Sequence, residues 1–360
     1  MKKILFATTA LVATAGAASA DIALSGWAEM GIVGGDRYGD NAQFHTDIDV
    51  SFTMTGEADN GLTFGAVVDL DENGAFGNGT QGGETIHVAY GAAKLTMGDV
   101  DGAFDAAMQE VNIGGSIDDS ETWHAGFNAN SGMDGTYDGQ IAQFAYSFNS
   151  FTGYLSVELD DAGVFDPVWG IGARYSAELA GLTLGVGIGY QSGDENNATV
   201  AAIGGLAAAA AADAALLLLD PGATADERFE VQAKAFGAVA ERSDVWGISL
   251  DTTFSNGLQA RLNYSEANYS DVAFLNDETE SFWGLGLGYS MNALTIGANF
   301  GKYDDRYGID GLEAKGFGLA VNYDLGGGLE AQMGYGKEEV SAPGVSYEND
   351  SFSLGLSMSF

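Results

Sequence analysis

The chain has 360 residues, 51 acidic against 13 basic side chains, a formal charge of −38 and no cysteine. That balance excludes nucleic acid as a natural partner, since phosphate binding needs clustered Lys and Arg, and the lack of cysteine excludes thiol chemistry and disulfide staples. Fifty-four glycines argue against a helical globule, because each costs about 1 kcal/mol relative to alanine inside a helix, while a hydrophobic share of 46% argues against disorder.

Residues 1–20 read as an export signal: Lys2 and Lys3, an apolar stretch from Ile4 to Ala17, then the small-residue cleavage signature Ala18-Ser19-Ala20. Residues 21–360 are expected to form one domain. Sixteen runs of alternating character follow, near 22–33, 44–55, 62–71, 84–90, 94–99, 141–148, 151–160, 168–177, 182–190, 244–254, 257–268, 279–290, 293–303, 313–324, 328–338 and 347–360. The last is the clearest, with large apolar groups at Phe352, Leu354, Leu356, Met358 and Phe360 and Ser or Gly between them. A period of two sends alternate residues to opposite faces of a strand.

Water-soluble sandwiches also alternate, so length and punctuation decide. Runs of about ten residues suit a tilted strand crossing the hydrocarbon layer. Many end in rings, among them Tyr90, Phe148, Tyr175, Tyr190, Phe254, Tyr289 and Tyr323, as an interfacial girdle requires. Tight joints such as Asn149-Ser150, Ala180-Gly181 and Met291-Asn292 alternate with longer polar ones at 34–43, 72–83, 100–140, 161–167, 191–243, 269–278, 304–312 and 339–346. Short turns on one side and long loops on the other define an all-β, 16-stranded antiparallel transmembrane β-barrel, whose closure leaves no unpaired backbone in lipid.

With large apolar groups outward, His45, Asp47 and Asp49 face the lumen, as do Glu29, Asp69, Asp71, Glu158, Asp251, Glu330, Lys94, Arg174 and Arg261. Glycines repeating at two, at 185, 187 and 189 and at 284, 286 and 288, read as a slim lumen wall. Within 191–243, the alanine- and leucine-rich stretch 199–219 predicts a helix stopped by Asp220-Pro221-Gly222, with a second helical piece near 226–241. It is expected to pack at the barrel mouth or against a neighbouring subunit. Asp69, Asp71 and Asn73 imitate the first half of an EF-hand loop, but its twelfth position holds Thr80, so calcium is a candidate ligand without a closing carboxylate.

Catalysis has little support. His45, His87 and His124 show no zinc spacing, and no nucleophile elbow is present. A secreted adhesin or solenoid would show a fixed internal repeat, and none is found. A substrate-specific channel would carry aromatic or basic tracks inside the lumen, and none is evident.

The stretch from Ala23 to Gly31, Ala-Leu-Ser-Gly-Trp-Ala-Glu-Met-Gly, resembles the first strand of the alphaproteobacterial, Rhodobacter-type general porins. Ser51 to Ala66 is similar to their second hairpin, and Lys94 to Ala103 to their fifth strand entering the third loop. The resemblance covers the mature chain except 191–243. It implies a general diffusion channel for small hydrophilic solutes in the outer membrane, a homotrimer, and a third loop folded inward. It also implies that the terminal aromatic, Phe360, is read by the barrel-assembly machinery, and that no cofactor is required. The loop is then 100–140, with Asp101, Asp105, Glu110, Asp118 and Asp119 and no Lys or Arg. Relatives set a basic wall opposite this acidic loop; here His45, Asp47 and Asp49 thin that pattern, leaving Lys94, Arg174 and Arg261 to supply it. Carboxylate rings favour cations over anions, so cations are the expected preferred solutes.

Overall fold

The computed structural model describes residues 21–39, 41–72, 79–119, 121–237, 242–269 and 279–360, the side chains of 72–82 and 195–203 excepted. The predicted export segment and Asn73 lie outside that set. The strands are β1 (Asp21–Gly34), β2 (Gln43–Glu57), β3 (Thr63–Glu72), β4 (Gly79–Tyr90), β5 (Ala93–Asp99), β6 (Gln140–Phe148), β7 (Phe151–Glu158) and β8 (Val168–Leu179). They continue as β9 (Leu182–Ser192), β10 (Asp244–Phe254), β11 (Leu258–Asn268), β12 (Thr279–Met291), β13 (Leu294–Asp304), β14 (Glu313–Gly326), β15 (Leu329–Ala342) and β16 (Val345–Ser359). Each pairs with its sequence neighbours, and β1 pairs antiparallel with β16, closing the barrel. Every predicted strand is present; β4 begins five residues earlier than expected and β7 ends two earlier.

The alternation fixes the phase of the wall. On β16, Ser353 and Ser357 are each 1% exposed whereas Leu354 is 54% exposed. Phe44, Ile48 and Phe52 point out of β2 while His45, Asp47 and Asp49 take the opposite parity. The apolar surface is therefore outside, where lipid covers it, and the polar set is inside. At the seam, Phe360 and Gly26 exchange two backbone hydrogen bonds, of 2.9 and 3.3 Å. Tight turns hold their strands with left-handed residues, Asn149 at φ 53° and Asn292 at φ 54°, a conformation asparagine tolerates better than most side chains.

The long joint after β9 forms two helices, α2 (Glu195–Leu219) and α3 (Ala225–Gly237). Thr224 and Glu227 cap α3 reciprocally: Glu227 N–H donates to Thr224 Oγ1 at 3.3 Å and Thr224 N–H to Glu227 Oε2 at 2.7 Å. Arg228 grips Asp213 through two hydrogen bonds of 2.7 and 2.8 Å, tying α3 to α2. The near end of α3 meets the β15–β16 joint, where Ser346 N–H donates to Asp226 and Phe229 packs on Tyr347. Its far end carries Phe236, buried against Tyr307 and Tyr269 beside β10. The hairpin thus lies as a chord across the mouth. No described helix is long and apolar enough to cross a membrane.

Candidate functional site

The joint between β5 and β6 turns into the barrel and runs along its inner wall. It opens with a short helix not expected from the sequence, α1 (Ala103–Ala107), which rests on β7, β8 and β9. Ala103 N–H donates to Ser156 Oγ on β7 (2.8 Å), Gln109 N–H to Ser249 Oγ on β10 (2.9 Å), and Asp118 N–H to Glu29 Oε2 on β1 (3.0 Å). Asn322 on β14 both accepts from and donates to Gly115 (3.2 and 3.0 Å). Ser353 on β16 donates to Glu121 (2.8 Å), and Asn299 on β13 donates to the Thr122 carbonyl (3.0 Å). On the way back, Gln191 on β9 accepts from Met133 N–H, and the buried Glu158 carboxylate accepts from Gly135, Tyr137 and Gly139. The loop is thus hydrogen-bonded around the wall from β6 to β16 and on to β1.

Glycine explains how it fits. A Cβ built on Gly172, Gly187, Gly286, Gly297 or Gly301 would strike the loop's carbonyls at Ala103, Ala107, Val111, Ile113 and Gly126 in turn. On Gly189 it would sit 2.9 Å from Phe104 Cα, and on Gly336 2.5 Å from the Glu121 carbonyl oxygen. The slim-wall reading of these glycines needs correcting. They do not widen the lumen; they let the loop backbone lie directly on the strand backbone. Above this contact the lumen is filled by side chains, with Phe104, Met108, Met133, Val245 and Phe236 in one buried cluster and Phe282, Tyr303, Leu312 and Val340 in another.

A charged knot among those clusters was missed by the sequence reading. Glu280, 2% exposed, accepts from Arg242 (3.0 Å), Arg306 (3.2 Å), Tyr307 N–H (2.9 Å) and Tyr269 OH (3.3 Å). Arg242 also donates to the Gly132 carbonyl at 2.7 Å, and the Arg306 guanidinium lies 3.5 Å from the Tyr303 ring centre. The one cue was Glu280 and Phe282 on inward parity: a large apolar group there means the lumen is locally dry.

The aqueous passage therefore runs against β2–β5. That wall carries Asp47, Asp49, Asp69, Asp71 and Asp99 with His45, His87 and Lys94, and a cavity of about 310 Å³ opens there among Ser51, Asp69, Glu84, Thr85 and Asp99. The carboxylates of Asp47, Asp49 and Asp71 lie within 4.8 Å of one another. Asp69 receives the Ser51 hydroxyl, and Asn73, the third member of the predicted calcium set, lies outside the described residues.

Across the passage the loop presents Asp101, Asp118 and Asp119, exposed, with Asp105 and Glu110 half-buried. Burial, reinforced by Asp101, Asp134 and Glu110, pushes the Asp105 carboxyl up to about 8. Burial raises Glu110 to about 7 against the opposing pull of Arg261. His124, the loop's one titratable base, is buried, hydrogen-bonded to Asn299 and lowered to about 4, chiefly by burial. Of the wall cations, Arg174 is paired with Asp251 at 2.5 Å. Arg174 also donates to the loop's Gln109 Oε1 at 3.4 Å and Arg261 to the carbonyls of Glu110 and Asn112, so both hold the loop from its own side. Lys94 alone of the three stays exposed on β5.

A sealed cylinder, apolar outside, polar inside and narrowed by an inward loop, is an outer-membrane diffusion channel. The profile of the family described as Gram-negative porin matches residues 7–343. The chain belongs to that family, and it is a general diffusion porin of the outer membrane. A porin of Rhodobacter capsulatus is 26% identical over 293 residues, covering 75% of this chain and 90% of its own. Solved structures of a triple and a double mutant of Rhodopseudomonas blastica porin superpose with TM-score 0.61 each at 17% identity, covering 94% of this chain and all of theirs.

Proposed function

We propose that this porin passes cations in preference to anions, and that it works as a homotrimer. The observation that carries the first part is charge on both sides of one passage. Five wall carboxylates face the acidic edge of the loop, and Arg174 and Arg261 are turned to the loop's support. A single-sign lining lowers the entry barrier for cations and raises it for anions. Reversal potentials across a KCl gradient test it. Replacing Asp47 and Asp49 by lysine should move the potential toward anions, and an anion-preferring parent channel would end the proposal.

Support for the trimer comes from the outer wall. Nine consecutive strands, β8 to β16, carry a ring at one level: Trp169, Tyr190, Trp246, Tyr264, Trp283, Phe300, Phe317, Tyr335 and Phe352. Among the described residues of β3 and β5–β7 that level holds Leu70, Met97, Ala142 and Val157 instead. The strands β5–β7 are also the shortest, at 7, 9 and 8 residues. An arc without a girdle suits contact with protein rather than with headgroups. Cysteine at position 97 should cross-link subunits and cysteine at 246 should not; the reverse result would remove this support.

A further inference from the structure

Of the five tryptophans, Trp169, Trp246 and Trp283 belong to the outer girdle, and the other two stand inside the barrel. Trp27 on β1 shares the inward parity of Glu29 and is the direct cross-strand partner of Asp49 on β2 and of Ser359 on β16. Trp123 is on the loop, just past Asp118 and Asp119, and its N–H donates to the Asp119 carbonyl (2.9 Å). One face of its ring is stacked on Phe127, with centres 5.5 Å apart. The two side chains are 38% and 45% exposed. Aromatic surface left in water is unfavourable for the fold, so rings kept in an aqueous passage need another reason.

The surroundings of Trp27 supply one. Asp49 is in turn the direct partner of Asp71 on β3, so Trp27, Asp49 and Asp71 form one row across three strands of the lumen wall. Residues so paired have Cβ atoms about 5 Å apart, which stands the indole beside the carboxylates. Those of Asp47, Asp49 and Asp71 lie within 4.8 Å of one another, and among the described residues no donor reaches Asp49 Oδ1. Two residues further along β1, about 6.7 Å away, Glu29 accepts from Asp118 N–H (3.0 Å) and meets His45 (3.3 Å). That is where the loop touches β1. Trp27 thus lies on the short-turn side of the constriction. Trp123, whose carbonyl accepts from Arg37 (3.4 Å) in the first long joint, lies on the outer side.

We propose that Trp27, with Asp47, Asp49 and Asp71, forms a binding site in the passage for a quaternary ammonium solute. The inference rests on the cation preference proposed above and gives that passage a substrate class. The methyl groups of such a cation carry its spread charge and are weakly hydrated, so they settle on the indole face, whose quadrupole attracts them. The clustered carboxylates balance the charge. A small inorganic cation would keep its water and leave the ring unused, and a neutral sugar would use the ring and leave the carboxylates uncompensated. The site is Trp27 rather than Trp123, because the Arg37 guanidinium beside Trp123 repels a second cation.

Single-channel recording in KCl tests this with three added probes: choline, its uncharged carbon isostere, and ethanolamine, which keeps the charge without the methyl groups. Choline should reduce the potassium current saturably, at a half-blocking concentration about tenfold below that of either other probe. Trp27→Leu should raise the choline value about tenfold, and Trp246→Leu on the outer wall should leave it as in the parent. Trp27→Phe, with a smaller loss, serves where the leucine variant does not fold. Choline acting no more strongly than ethanolamine or the isostere, or a folded Trp27→Leu channel blocked as well as the parent, would overturn the proposal. The KCl reversal potential of the parent, read on the same channels, separates the two readings. A cation-preferring channel without choline block refutes this site alone, and an anion-preferring one refutes the cation preference as well.

Discussion

Gly336 on β15 lies against the constriction loop, and its replacement by alanine probes whether backbone-on-backbone contact sets the loop's position. The added methyl would sit 2.5 Å from the Glu121 carbonyl oxygen and 2.9 Å from its Cα, where an unstrained contact needs about 3.5 Å. The loop must retreat by roughly 1 Å. That draws Glu121 away from the Ser353 hydroxyl, now 2.8 Å distant, beyond good hydrogen-bond reach. Overpacking costs about 1–3 kcal/mol and a lost buried hydrogen bond about 1–3 kcal/mol, so a destabilisation of about 2–4 kcal/mol is expected. The displaced segment moves into the passage, so conductance should fall. Denaturant unfolding of refolded protein and single-channel recording give the two readouts. Gly153→Ala is the control, because a methyl there meets nothing within 4 Å. If Gly336→Ala were indistinguishable from that control in both assays, glycine would not be what seats the loop.

Cation preference should strengthen with pH. Asp105 and Glu110, raised to about 8 and about 7, are largely protonated at pH 6 and ionised by pH 9, so negative charge in the lumen grows across that window and is lost as pH falls. Reversal potentials should follow, and Asp105→Asn with Glu110→Gln should flatten the trend; a parent channel flat from pH 6 to 9 would contradict it. Glu280→Gln removes the anion shared by Arg242 and Arg306. Leaving buried guanidinium charge uncompensated should cost about 3–5 kcal/mol, and an unfolding midpoint equal to the parent's would show that the knot contributes nothing.

The wall was legible in sequence for a physical reason. Lipid outside and water inside impose opposite penalties on successive residues, so Phe352, Leu354 and Ser353 announce their faces without any knowledge of neighbours. The path of the loop was not legible. Gly187 and Gly286 look alike whether they border water or another backbone, and only strands distant in sequence, through Ser249, Asn322 and Ser353, show where the loop lies. Parity puts Arg174 and Arg261 on the inner face, yet it is silent on what stands in front of them.

The barrel is reinforced on one flank only. From β7 round to β16 the sheet is backed by loop, helix and two clusters of buried side chains, so bending those strands means deforming a close-packed solid. The acidic flank of β2–β5 is backed by water, with its carboxylates repelling one another. The conduit therefore runs along the one flank that its own backbone ladder alone holds in shape, so the outline of the passage is set by strand pairing there and by packed side chains everywhere else.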